Sequence, residues 1–169
     1  MSTAAVASRY NGAAMTYYVK MLGSTDMPMP NHPWGAQGDA HDEVRFPARP
    51  APVGINPGDE FVYYAVGGYK RVFAAARVES APRLNAAHPN RVVAKRWPYA
   101  AKVSLRPSAK LTYVSSGPEL AEVGHGLQEQ VGQGVSHFEI GRADFDRAIQ
   151  LLQRAKADED RRLKTGWRP

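Results

Sequence analysis

"PGDEFVYYAVGGYKRVFAAARVES", residues 57–80, is the stretch on which the fold turns. Two β-rich runs, residues 60–66 and 71–79, flank Gly67-Gly68, and paired glycines supply the positive φ angles of a tight turn without steric cost. Both faces of "FVYYAV" are apolar or aromatic, which suits a strand covered on both sides. The segment reads as a β-hairpin that crosses a small barrel. Phe61 and Tyr63 are expected to fill the interior, and Tyr64, Tyr69, Lys70 and Arg71 to face a ligand.

Upstream, "TYYVKML" (residues 16–22) alternates Tyr17, Val19 and Met21 with Tyr18, Lys20 and Leu22, the two-residue period of a strand. Residues 23–59 are crowded with Pro and Gly, which disfavours regular structure, and a loop of that length in a compact domain tends to carry function. Downstream, "RVVAKRWPYAAKVSLRP" (residues 91–107) reads as two short strands broken at Trp97-Pro98. Pro118 marks a short helix start, cut off by Gly124 and Gly126. "VSHFEI" (residues 135–140) is the expected closing strand. Phe145, Ala148, Ile149 and Leu152 then follow the i, i+3, i+4, i+7 stripe of an amphipathic helix, with Asp144 and Asp146 in its first turn. The division expected is a disordered leader over residues 1–14, a domain over 15–157 and a solvated charged tail over 158–169.

The 169 residues suffice for one domain with a real core, and at 43% hydrophobic residues the chain is not disordered as a whole. The formal charge of +6 favours polyanionic partners, nucleic acid among them. With no cysteine, disulfide frameworks, thiolate metal sites and Cys nucleophiles are excluded, a composition that fits the cytoplasm. No run of 18 apolar residues predicts a transmembrane helix, and the opening residues lack the pattern of a signal peptide. The five histidines show no ligand spacing, so neither metal nor cofactor is expected. "GHG" and "GQG" are not phosphate-cradling loops. Met27-Pro28-Met29-Pro30 is weak evidence for a soft metal.

What remains is aromatic and basic. Trp34, Tyr63, Tyr64, Tyr69, Trp97 and Tyr99 are interleaved with Lys70, Arg71, Lys95, Arg96 and Lys102. Aromatic faces stack on bases while Arg and Lys meet phosphates, so the mixture is that of a nucleic-acid binder. Trp34 and Trp97, beside prolines in loops, can be read either as core or as site.

"YYVKML", "HDEVRF", "PGDEFVYYAVG", "RVFAAARVES", "RWPYAAKVSLRP" and "QGVSHFEIGRADFDRAI", in that order over about residues 15–155, resemble the EVE domain of the PUA-like superfamily. That resemblance implies an α+β fold: a single, partly open five- or six-stranded β-barrel with flanking helices, related to YTH, ASCH and PUA domains. It also implies a pocket for a flipped, modified base. Carried over by position, the pocket takes Tyr17, Tyr18 and Lys20 from the first strand, Tyr63 and Tyr64 from the crossing strand, and Ser136 and His137 from the closing turn. Where the family has a loop tryptophan before "GVRN", this chain has His41 before "DEVRF", which leaves two readings: Trp34 upstream substitutes for it, or the pocket is lost.

The expected function is therefore a non-catalytic module that holds a modified base of DNA or RNA. Its pocket would be lined by Tyr17, Tyr18, Lys20, Trp34, Tyr64, Tyr69, Trp97, Ser136 and His137. Lys70, Arg71, Lys95, Arg96 and Lys102 would meet phosphates. The alternative from the ASCH relatives is a hydrolase of modified nucleosides or RNA, with Lys20 as base beside Thr16 and a glutamate, Glu60 or Glu139. A third option is a protein partner in the same cleft.

Overall fold

In a computed structural model the chain is described over residues 14–34, 42–85, 87–132 and 134–169. All of the expected leader but Ala14 lies outside these residues, as does His41. Strands β1 (Tyr17–Leu22), β2 (Glu43–Phe46), β3 (Glu60–Ala65), β4 (Val72–Val78), β5 (Arg83–Leu84), β6 (Tyr99–Leu105) and β7 (His137–Ile140) form one mixed sheet. Its order is β2-β6-β4-β3-β1-β7, with β5 also paired to β6. Only β1 and β3 run parallel; every other pair is antiparallel.

The hairpin is where the sequence puts it. Gly67 and Gly68 take φ of 74° and 53°, and Lys70 follows at 52°. All six residues of β3 are buried, because β1 and β4 flank it and both faces are covered. The sheet is curled and open. β2 and β7 stand at opposite ends of the order, yet the rings of Phe46 and His137 meet edge to face at 5.4 Å. Side chains, not ladder hydrogen bonds, bring these two edges together. Tyr18, Phe46 and Phe61 pack inside the curl, with ring centroids 5.7–6.0 Å apart.

The outer side carries helix α3 (Arg142–Lys164), whose Phe145, Ala148 and Leu152 are buried and whose Phe145 ring lies 4.7 Å from Tyr17. The fold is thus α+β: a curled open mixed sheet with a C-terminal helix. Gly117 shows how closely the chain returns to the sheet. A Cβ there would stand 1.7 Å from the Val72 carbonyl oxygen, and the close approach lets Val72 N–H donate to Pro118 O at 2.9 Å.

Three local expectations are corrected. Residues 91–96 form helix α1 (Arg91–Arg96), not a strand, because the Asn90 side chain accepts from Val92 and Val93 N–H and Pro98 limits the helix beyond Trp97. The β propensity of Val92-Val93 loses to that cap. Strand β2 emerges within the Pro/Gly-rich segment, because β6 supplies the partners its four residues lack locally. The charged tail is not solvated over its whole length. The helix continues to Lys164, and Glu159, 1% exposed, accepts from Thr112 and Tyr113 N–H at 2.6 and 3.0 Å. Helix α2 (Leu120–Val123) is as short as Gly124 requires. Among the described residues no helix is long and apolar enough to cross a membrane.

Candidate functional site

The curl opens beside the C-terminal half of β1 into two adjoining concavities of about 480 and 610 Å³ that share Lys20, Met21, Gly23 and Trp97. Met27, Pro28, Met29 and Pro30 wall the first, opposite Val93, His88 and Pro89, with Arg45 and Glu43 from β2. Ser24, Asp26, Arg96, Val135 and Ser136 line the second. Arg96 Nη1 and Nη2 hold the two Asp26 oxygens at 2.7 and 3.0 Å, and Ser24 Oγ donates to Asp26 Oδ1. These bonds hold the Asp26 carboxyl well below the usual carboxylate range. They tie the loop after β1 to the end of α1 across the mouth.

Lys20 is the unusual group. It is 2% exposed, and its Nζ donates to Met21 O at 2.8 Å and Ser136 O at 3.4 Å, with the Phe46 ring centroid at 4.7 Å. Among the described residues no carboxylate pairs with it. An ammonium stripped of water without a counter-charge is costly, and burial accordingly pulls its pKa down to about 7. His137, the cross-strand partner of Lys20, lies under the same constraint: burial, and then the Lys20 charge, lowers it to about 4. Ser136 Oγ and His137 Nδ1 are 3.2 Å apart. At neutral pH the interior face therefore presents a neutral imidazole, a hydroxyl and an amine that loses its proton far more readily than an ordinary lysine.

Of the expected pocket residues, the structure brings Lys20, Trp97 and Ser136 to the concavities and sets His137 directly behind them. It places the others elsewhere. Tyr17 stacks on Phe145 of α3. Tyr18 is buried inside the curl, its hydroxyl reaching Gly54 O at 3.4 Å. Trp34 packs 5.8 Å from Phe73, donates to Leu111 O at 2.5 Å and lies beneath Lys110, away from the concavities. Tyr64 pairs with Met21 in the parallel register, one residue out of step with Lys20, so it turns to the opposite sheet face. It is 1% exposed there, with its hydroxyl 3.5 Å from Gln128 Nε2. Tyr69 is exposed at the hairpin tip. The core assignment of Phe61 and Tyr63 agrees with their complete burial.

The phosphate set is likewise divided. Lys95 is exposed on α1, next to Arg96, but Arg96 is engaged by Asp26. Lys70 is exposed at the hairpin tip, and Arg71 is bound to Glu119 at 2.7 Å. Lys102 stands opposite Glu43 on the β2–β6 ladder. The hydrolytic trio is not assembled. Thr16 lies four residues from Lys20 along one strand, about 13 Å, Glu139 is exposed opposite Tyr18, and neither lines the concavities. Glu60 is held by Arg106 at 2.7 Å.

Sequence reading missed the Met27–Pro30 wall and the Asp26–Arg96 bridge. The Met-Pro repeat was a visible signal, because prolines hold thioethers in an extended apolar surface. The Asp26–Arg96 pair, 70 residues apart, left none. One consequence of the assignment is testable. Tyr64→Phe should change stability by less than about 1 kcal/mol, since its hydroxyl makes one long contact, and should leave binding of any cleft ligand unaltered. Denaturant unfolding and ligand titration check this, and altered binding would return Tyr64 to the site.

No family model matches the chain, and no curated protein matches it in sequence. Solved structures similar to it include three from bacteria. A crystal structure of a protein from Agrobacterium tumefaciens shares 13% identity over 81% of this chain and 92% of that one, with a TM-score of 0.47. An NMR structure from Rhodopseudomonas palustris shares 11% over 81% and 92%, at 0.46. A crystal structure from Pseudomonas putida shares 16% over 80% and 99%, at 0.47.

Proposed function

We propose that this protein is a binding module of the PUA-like kind, in its EVE branch, that holds one modified base of a nucleic acid in the Lys20–Trp97 cleft. The observation that carries the reading is the juxtaposition of an indole wall with a donor at the floor. Trp97 offers a flat face for stacking, and the Lys20 ammonium, with one N–H beyond the two given to Met21 O and Ser136 O, offers it to an acceptor on the base edge. A concavity of about 480 Å³ suits a ligand of nucleoside size. The methionine and proline side chains opposite form an apolar surface, which favours a base enlarged by an alkyl group over a bare polar one. Lys95 on α1 and Lys70 at the hairpin tip stand as phosphate contacts, and the charge of +6 supports them. The aromatic cage of the sequence reading is replaced by one tryptophan and a methionine wall.

The test is fluorescence anisotropy with labelled single-stranded DNA and RNA, unmodified or carrying alkylated bases. Binding should be strongest at low salt and its logarithm should fall linearly with the logarithm of salt. Trp97→Ala should weaken it by about 1–3 kcal/mol, the worth of one stacked base, with the fold retained. No binding at low salt, or a Trp97→Ala protein that binds like the wild type, refutes the reading. A hydrolase reading keeps only Lys20, whose lowered pKa would suit a base; release of acetate from acetylated nucleosides would favour it.

A further inference from the structure

We propose that Lys20 is a nucleophile that captures an aldehyde or ketone entering the cleft, as a Schiff base. The inference needs the cleft alone and does not depend on nucleic-acid binding.

The hydrogen-bond inventory comes first. A neutral primary amine has two N–H donors and one lone pair, whereas an ammonium has three donors and no lone pair. Lys20 Nζ finds two carbonyl acceptors, Met21 O and Ser136 O, and its remaining close neighbour is the face of Phe46. Two acceptors satisfy the neutral form completely and leave its electron pair unused. Among the described residues no carboxylate approaches to hold the proton on. Burial acts in the same direction and lowers its pKa to about 7, so neutral amine is present at neutral pH.

Access and proton handling follow from the neighbours. Lys20 lines both concavities, and no other lysine lines either. In the first step the Nζ lone pair attacks the carbonyl carbon, and the C=O π pair moves onto oxygen. The oxygen takes a proton and the nitrogen loses one, giving a neutral carbinolamine. The carbinolamine then expels its hydroxyl, with a proton, as water while the C=N bond forms. The sum is amine plus carbonyl going to imine plus water, with no oxidant or reductant. His137 is held neutral, is the cross-strand partner of Lys20 and has Nδ1 3.2 Å from Ser136 Oγ, and its imidazole is the group assigned to take and return the proton. The Trp97 face and the Met27–Pro30 wall suit a carbonyl borne on a flat ring.

The test uses the full chain, pyridoxal as the aldehyde and sodium borohydride to reduce the imine irreversibly, followed by peptide mapping. At pH 7.5 Lys20 should be modified at least tenfold faster than the exposed Lys70, Lys95 and Lys102. Its rate should rise with a midpoint near pH 7. Lys20→Arg should abolish the fast adduct. Modification of Lys20 no faster than of the exposed lysines, or a Lys20 rate with no midpoint near pH 7, overturns the proposal, and the wild-type map alone decides this if the variant does not fold. Oligonucleotide binding measured on the same preparation separates the two readings: an adduct without binding refutes base recognition only, and binding without a fast adduct refutes the nucleophile only.

Discussion

Lys20→Met is expected to stabilise the fold, and most at acid pH. The ammonium of Lys20 titrates at about 7 in the folded chain, against 10.5 for an ordinary lysine. Below pH 7 the folded protein carries a buried charge whose cost, from the shift, is about 5 kcal/mol. Between pH 7 and 10.5 the unfolded chain binds more protons than the folded one, so wild-type stability rises with pH across that window. The advantage of the methionine variant must therefore shrink by about 3 kcal/mol between pH 6 and pH 9. A smaller loss offsets the gain. Met21 O loses its bond to the amine, worth about 1 kcal/mol, while Ser136 O keeps its bond from Met21 N–H. The net expectation is a gain of roughly 3–4 kcal/mol at pH 6. Denaturant unfolding of both proteins at pH 6 and 9 measures it. A gap that stays constant with pH, or a variant less stable at pH 6, would show that the lysine is not the buried, uncompensated charge described.

Glu159→Ala is expected to cost about 3–5 kcal/mol, since hydrogen bonds to a charged group are worth about 1.5–3 kcal/mol each and two are lost together. Glu159 lies late in α3, 1% exposed, and its two oxygens accept from the backbone of Thr112 and Tyr113. Removing the carboxylate leaves two N–H groups without acceptors at the point where the segment after β6 is held against the helix. Glu159→Gln retains one good acceptor and should fall between the wild type and alanine. Thermal or denaturant unfolding of the three proteins provides the check. A cost below about 1 kcal/mol for alanine would mean that the helix end is solvated, as its composition suggests.

That composition is misleading for a definite reason. "DEDRRLK" is charged at almost every position, and nothing within it shows that one of its acids belongs to backbone groups 46 and 47 residues earlier. The bridge between Asp26 and Arg96 is hidden in the same way. Strand β2 is too short to declare itself and exists because β6 lies beside it. Helix α1 was legible in principle through Asn90 and Pro98, but the valines between them carry the stronger local preference.

The elements that sequence determined unaided are those whose signals lie within a few residues. Gly67-Gly68 between two apolar runs makes the hairpin, alternation makes β1, and the stripe beginning at Phe145 makes the helix. Each follows from backbone sterics or from the period of a buried face. The family resemblance, not a local signal, grouped Lys20 of β1 with Ser136 and His137 of the closing turn. The burial of Lys20 was decided by the tertiary structure alone. The curl of the sheet carries Phe46 from one edge to His137 on the other and brings the Phe46 ring against the amine. The same register that turns Lys20 inward turns Tyr64 to the opposite face. Which aromatic meets a ligand depends on register across strands some 40 residues apart in the chain, and a one-residue step there reverses every side chain.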